Sequence, residues 1–248
     1  MNNPMDLTNK RILVTGASSG IGRETAILIS KLGGQVILVG RDEERLNETL
    51  EQMENKEQHL VYPFDLTNYE EYAVLFKNIA SKDNKLNGLV HCAGIAKVIP
   101  LKVVSYKNIM ETMEINYIAF MELVKYFSKK TVSDAGSIVG ISAVNAHYPQ
   151  KCMSVYASSK GAIEMAVSTL AIELMEKNIR INAVVPGPIN TPMANGLSQN
   201  EGVETNIIGQ QLIPMGEPED VANMIAFLLS DASKFSTGRL FYVDGGRL

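Results

Sequence analysis

The stretch "RILVTGASSGIG", residues 11–22, runs an apolar segment straight into three glycines and two serines. Short and rich in branched residues, "RILVT" has the pattern of a strand buried on both faces. The glycines free the backbone just beyond it, and from Gly20 onward apolar residues recur at helical spacing. Gly16, Gly20 and Gly22 stand four and then two residues apart. The better-known G-x-G-x-x-G turn spaces its glycines differently, so the purpose of this turn depends on its surroundings.

Strand, glycine turn and helix form the first unit of a pattern that repeats almost to the C-terminus. Strands are expected at 11–15, 35–39, 59–63, 88–91, 137–141, 180–185 and 240–243, and helices at 20–32, 43–54, 69–81, 106–129, 155–177 and 218–229. Such alternation demands right-handed crossovers and a parallel sheet covered by helices on both faces. The expected fold class is α/β, doubly wound. No linker or shift of composition divides the chain, so residues 1–248 are expected to form a single domain. Residues 186–216, "PGPINTPMANGLSQNEGVETNIIGQQLIPMG", show neither strand alternation nor a sustained helical stripe, and are read as a packed substrate-side loop.

A chain of 248 residues, 46% hydrophobic and 20% charged, can bury a substantial core. Its net charge of -4 does not recruit nucleic acid. Cys92 and Cys152 lie among small or apolar residues without metal-ligand spacing; they are expected to be reduced structural thiols, and no metal site is expected. The opening "MNNPMDLTNK" lacks the features of a secretion signal, and no apolar run is long enough to span a bilayer. A cytoplasmic protein with no membrane partner is the expectation.

In an open parallel sheet, ligands bind beyond the carboxyl ends of the strands. The glycine turn falls there, and the helix opening near Gly20 offers free N–H groups and a positive dipole end to a phosphate, with Ser18 and Ser19 adding hydroxyls. A plain glycine-rich strand–helix turn is the competing reading. At the end of the second strand, "VILVGRDEERL" has Gly40 and Arg41 where an acidic residue would select a free ribose 2′-hydroxyl. A guanidinium there favours a 2′-phosphate, hence NADP(H) over NAD(H). Asp42 facing the ribose would reverse that preference, and Arg41 as a solvated charge at a helix start would remove it.

In "SVYASSKGA", Tyr156 and Lys160 stand at i and i+4, on one helix face. A phenol titrates near pH 10, and an adjacent ammonium is expected to bring it toward the working range. "YFSKK" repeats the spacing at Tyr126 and Lys130, but at a helix end away from the ligand edge. Ser142 closes the strand "GSIVGIS" fourteen residues before Tyr156, so its hydroxyl is expected to meet the phenol over a bound carbonyl. Asn116 is an amide inside a long apolar helix, either a functional group or a satisfied core polar residue.

The "TGASSGIG" turn, Asp65, the "CAG" at 92–94, Asn116, Ser142, Tyr156, Lys160, "PGPINT" and the closing "VDGG" together resemble the short-chain dehydrogenase/reductase family, over essentially the whole chain. The resemblance implies a Rossmann fold with a seven-stranded parallel sheet, a homotetramer or homodimer, and NAD(H) or NADP(H) as cofactor. It makes Tyr156 the proton donor to a substrate carbonyl while hydride arrives from the nicotinamide. Ser142 would polarise the same oxygen, Lys160 would lower the Tyr156 pKa and bond the nicotinamide ribose, and Asn116 would hold a water linking Lys160 to solvent. Cofactor contacts would come from Gly16, Ser18, Ser19, Gly20, Ile21 and Gly22 in the turn and from Arg41, then from Asp65 and Leu66 at the adenine. Ala93 and Gly94, Tyr156 and Lys160, and Pro186, Gly187, Ile189 and Thr191 would complete them. The family usually has Asn-Asn-Ala-Gly after the fourth strand, whereas this chain has His91 and Cys92 at the amide positions.

Val144, Tyr148, Met153, Met193 and Leu197 point to a mainly apolar substrate cavity, with Asn145, His147 and Gln150 as polar selectors. A small-molecule carbonyl or a 3-oxoacyl thioester is the expected substrate, and Lys129, Lys130 and Lys177 either greet an acidic carrier protein or simply complement helix C-termini. Reduction of a ketosteroid or sugar and a non-catalytic cofactor-binding regulator are the alternatives. An epimerase or dehydratase of the extended relatives would need a larger C-terminal domain.

Overall fold

A computed structural model describes residues 3–198 and 211–246. Seven strands, β1 (Arg11–Thr15), β2 (Gln35–Gly40), β3 (Leu60–Pro63), β4 (Gly88–His91), β5 (Gly136–Ile141), β6 (Ile179–Pro186) and β7 (Leu240–Val243), form one sheet in the order β3-β2-β1-β4-β5-β6-β7. All six pairings are parallel. The helices are α1 (Gly20–Lys31), α2 (Glu43–Leu50), α3 (Tyr72–Ile79), α4 (Tyr106–Met113), α5 (Ala119–Phe127), α6 (Ser154–Leu174), α7 (Pro192–Ser198) and α8 (Pro218–Leu229).

Neighbouring residues of a strand point to opposite faces, so a strand covered on both sides must be apolar throughout. In β1, Leu13 enters the core under α3, α5 and α6, while Ile12 and Val14 enter the core under α1 and α8. The same division runs through β2, where Ile37 and Val39 face one core and Val36 and Leu38 the other. Strand order reverses between β1 and β4, and their register sets Thr15 opposite His91. The crevice beyond those two strand ends is where such sheets bind ligands.

Three elements differ from expectation. The helix expected at 106–129 is α4 and α5 joined by a π-helical turn, Glu114–Ile118, which widens the helix around Asn116. The helix expected from 69 opens with a 3-10 turn, Tyr69–Glu71. Within 186–216, expected to lack regular structure, α7 starts on Pro192, whose missing N–H costs nothing at a helix start. Asn190 N–H donates to Gly216 O at 2.8 Å and closes the base of this loop. Residues 199–210 lie outside the described ones. A side chain at Gly187 would place Cβ 2.7 Å from the Asp244 Cα, and Gly187 N–H donates to Val243 O at 2.9 Å. "PGPINT" and "VDGG" therefore serve each other: β6 and β7 leave the sheet side by side.

Candidate active site

The three glycines of the opening turn have separate tasks. Gly16 has φ +68°, and a Cβ there would stand 2.7 Å from Ala93 N, so it lets the turn touch the chain leaving β4. Gly20 has φ +53°, a left-handed value that suits glycine. At Gly22 a Cβ would lie 2.2 Å from Gly16 O, so this glycine lets α1 lean on its own turn. Spacing of four and then two follows from that closed loop. Ser19 occupies the N-cap of α1, but its side chain makes no capping bond and no acidic residue stands in the first turn. The helix start therefore keeps unpaired N–H groups and its positive dipole end for an anion.

A cavity of about 310 Å³ opens in front of this turn. Gly16, Ser18, Ser19, Gly20, Ile21 and Gly22 line it on one side, Ala93, Gly94 and Thr191 on another, and Arg41, Asp65 and Leu66 at the far end. Arg45 and Phe64 stand there too, and the sequence reading missed both. Arg41 and Arg45 are spaced i and i+4 at a helix start, a signal that was available. Neither guanidinium donates a hydrogen bond among the described residues. Asp42 turns away: it is the N-cap of α2, where its Oδ1 accepts from Arg45 N–H at 3.1 Å. The Asp65 carboxylate accepts from the Thr67 N–H at 2.9 Å and hydroxyl at 2.8 Å. The backbone bond leads in holding its pKa below the usual carboxylate range. Open glycine backbone, a helix start and two guanidinium groups in one elongated cavity fit a phosphate-bearing dinucleotide.

A second cavity, about 180 Å³, shares Ile21, Cys92, Gly94, Ile95, Thr191 and Met193 as wall with the first. Tyr156 and Lys160, on α6, line it with Pro186, Gly187 and Ile189. Of the expected pocket residues, Val144, Asn145, Gln150, Met153, Met193 and Leu197 are in its wall; His147 and Tyr148 are not. Lys160 is buried and its Nζ donates to Ile141 O at 2.8 Å. Burial pushes its pKa down to about 8. The Nζ stands 5.8 Å from the Tyr156 ring centroid. Burial also decides the phenol, which is pushed up to about 12 rather than down. The expected lowering fails because both groups are desolvated and an ammonium proton points at a carbonyl. Tyr156 is thus held protonated at neutral pH, as a proton donor must be.

Asn116 is fully buried and both of its amide protons are engaged. Oδ1 accepts from Ile95 N–H at 2.8 Å, while Nδ2 donates to Ile95 O at 3.0 Å and to Ser159 Oγ at 2.8 Å. It pins the loop after β4 to α6, and neither amide proton is left for the expected water. Ser142 is a clearer correction. The residue is 2% exposed and stands in the wall of the same cavity, but its hydroxyl donates to Glu164 Oε1 at 2.6 Å and makes no bond to the phenol. The same carboxylate lies 2.8 Å from His147 Nε2. The following residue has extended backbone, φ -164° and ψ 151°, so its side chain points the other way. That residue is Ala143, which lines the cavity with a methyl group.

His91 and Cys92 now have a physical account. His91 is buried, and its Nε2–H donates to Ile115 O at 3.2 Å, which leaves Nδ1 to accept from Thr15 Oγ1 at 3.0 Å. Thr15 Oγ1 in turn accepts from Ala93 N–H at 3.3 Å. Burial, reinforced by the Lys160 charge, pushes His91 down to about 3, so it is a neutral strut between β1 and β4. Burial pushes the Cys92 thiol up to about 12. Among the described residues no cluster of three or more His, Cys, Asp or Glu could hold a metal ion. The repeated spacing at Tyr126 belongs to packing, since its ring stacks on Phe76 at 5.4 Å with Lys129 Nζ 3.7 Å from its centroid.

Known proteins match this arrangement from end to end. A family model described as Enoyl-(Acyl carrier protein) reductase covers residues 16–247. The 3-oxoacyl-[acyl-carrier-protein] reductase of Rickettsia felis is 35% identical over 98% of this chain and 99% of its own length. The L-xylulose reductase of Caenorhabditis elegans is 34% identical over 97% and 96%. Among solved structures, a short-chain type dehydrogenase/reductase from Mycobacterium ulcerans superposes with a TM-score of 0.89 at 31% identity, over 97% of this chain and 90% of the other. With its sheet order, glycine turn and paired Tyr156 and Lys160, the chain belongs to the short-chain dehydrogenase/reductase family, oxidoreductases that transfer hydride between a nicotinamide cofactor and a carbonyl or alcohol.

Proposed function

We propose that the protein is an NADPH-dependent reductase of a small carbonyl compound. The observation that carries this reading is the juxtaposition of the two cavities: the anion-binding turn leads, through a shared wall, to a protonated phenol. Preference for the phosphorylated cofactor is supported by Arg41 and Arg45 at the far end, with Asp42 committed to capping α2 and the Asp65 carboxylate engaged by Thr67. The bound cofactor would supply the hydride. Tyr156 donates its phenolic proton to the carbonyl oxygen as negative charge develops there. Lys160, held between Ile141 O and the phenol, favours that charge while it keeps its proton. Asn116 and His91 act through structure, fixing the backbone at 92–95 that separates the cavities.

Tyr156→Phe tests the assignment. NADPH oxidation with any accepted carbonyl should fall by at least about a hundredfold, with NADPH binding retained. Turnover near the wild-type rate would remove Tyr156 from the reaction.

A homo-oligomer, tetrameric as in the family expectation, is part of the same reading. Leu101 and Tyr106, with Met165 and Ile172 on α6, are large apolar groups left exposed by the single chain, and light scattering on the purified protein measures the state directly. Docking of an acidic carrier finds less support, because Lys177 is spent on Ser128 O at 3.2 Å and Lys129 on the Tyr126 ring. No helix of the described residues is long and apolar enough to cross a membrane. The reading assigns the protein to the cytoplasm, with Cys92 and Cys152 as free thiols.

A further inference from the structure

The wall of the cavity at Tyr156 is mainly apolar, with Ile, Val, Met and Leu side chains beside Ala, Pro and Gly. Of its polar members, Ser142 donates to Glu164, and Thr191 Oγ1 accepts from Ala194 N–H at 3.2 Å. Asn145 and Gln150 are different. Both are half-buried in the wall, and Asn145 Nδ2 donates to Gln150 Oε1 at 2.8 Å. That bond leaves the Asn145 carbonyl oxygen and the Gln150 amide nitrogen without a partner among the described residues. Turning both amides over exchanges the atoms but leaves the same remainder, one acceptor beside one donor.

We infer that Asn145 and Gln150 form a hydroxyl-reading pair, which selects small ketones carrying a hydroxyl next to the reacting carbonyl. The inference rests on the reductase reading above and names its substrate class. A hydroxyl is the neutral oxygen group that both donates and accepts, so it satisfies both amides at once. A thioester carbonyl accepts only, and leaves the Asn145 oxygen facing an unmatched oxygen. A hydrocarbon group leaves both amides unsatisfied once it has displaced their water. The cavity volume of about 180 Å³ also suits a compact substrate. Discrimination by a polar pair in an apolar wall is stronger than by shape, because the wrong substrate strands buried polar atoms.

The experiment compares hydroxyacetone, acetone and the acetoacetyl thioester of N-acetylcysteamine as substrates for NADPH oxidation by the wild type, Asn145→Ala and Gln150→Ala. NADPH binding and thermal melting serve as controls, since neither residue lines the cofactor cavity. The wild type should prefer hydroxyacetone to acetone by about tenfold or more in kcat/KM. Each variant should lose most of that preference, with kcat/KM for hydroxyacetone falling and that for acetone holding or rising as the stranded amide is removed. Equal losses for the two ketones, or a wild type that favours the thioester and keeps that preference in both variants, would overturn the pair. Silence toward every carbonyl would overturn the reductase reading and this inference with it, whereas turnover with unaltered ratios removes the inference alone.

Discussion

Replacing Lys160 by methionine should stabilise the cofactor-free protein at neutral pH while abolishing its activity. The ammonium is buried at 5% exposure, and its pKa falls from 10.5 to about 8 because burial penalises the charged form. At about 1.4 kcal/mol per unit, keeping it charged at pH 7 costs roughly 3 kcal/mol of folding free energy. Methionine has a similar unbranched length and no charge, but it strands Ile141 O, which accepts from Nζ at 2.8 Å. A lost carbonyl partner returns about 1 to 2 kcal/mol, so the net gain is on the order of 1 kcal/mol. Below pH 8 both the folded and unfolded wild type hold the proton and the penalty is complete. Between about 8 and 10.5 the folded form releases a proton that the unfolded form keeps, so wild-type stability rises with pH and the gain from Lys160→Met shrinks. Near the upper limit the variant becomes the less stable protein, because only the stranded carbonyl remains. The raised pKa of Tyr156 affects both proteins alike and drops out of the difference. Urea unfolding from pH 6.5 to 10 measures this difference. A variant less stable than wild type at pH 7, with a gap that does not change with pH, would refute the account of Lys160 as a desolvated charge.

Arg41→Ala should weaken NADPH binding by about 10- to 100-fold, as expected for one charge-assisted hydrogen bond worth ~1.5–3 kcal/mol, and leave NADH nearly unchanged; parallel fluorescence titrations measure both, and equal losses would show that Arg41 does not read the 2′-phosphate. Ser142→Ala should change kcat by less than about threefold and appear instead as lost stability of ~1–3 kcal/mol, since Glu164 loses a buried donor. Ala143→Ser, which puts a hydroxyl on the cavity side of the same segment, should raise kcat, and a large fall in Ser142→Ala with no rise in Ala143→Ser would reverse the assigned directions.

The repeating order of strands and helices was legible because a doubly covered strand such as β1 must be apolar on both faces, and that requirement is written residue by residue in "RILVT". The turn was legible for a similar reason: positive φ at Gly16 and Gly20 and the close approach at Gly22 each demand glycine. The pairing of Tyr156 with Lys160 on one face followed from helical spacing, and its place at the ligand edge set it apart from the same spacing at Tyr126 and Lys130. Direction at a strand end was not legible. Ser142 and Ala143 both stand in the cavity wall, but one place in extended chain turns the Ser142 hydroxyl toward Glu164 and the Ala143 methyl the other way, and no spacing from Tyr156 resolves such a step. The partner that claims Ser142 is Glu164, an acidic residue buried mid-helix whose purpose appears only when β5, α6 and His147 meet.

Electrostatics was illegible for a related reason, and its outcome alters the chemistry. From spacing, Lys160 is an ammonium that acidifies a phenol; in the folded protein burial sets both groups, lowering the amine and raising the phenol. A phenol held up to about 12 and an amine held down to about 8 both lie above neutral pH, which leaves Tyr156 protonated and Lys160 charged but close to titrating. Reduction needs both protons in place. Its rate should therefore be level through neutral pH and fall as the pH rises through 8, where Lys160 loses its charge. Alcohol oxidation needs Tyr156 as a base and should instead gain as the pH rises. Opposed slopes in the two directions would come from the same two burials, and parallel slopes would mean that the bound cofactor resets the pair.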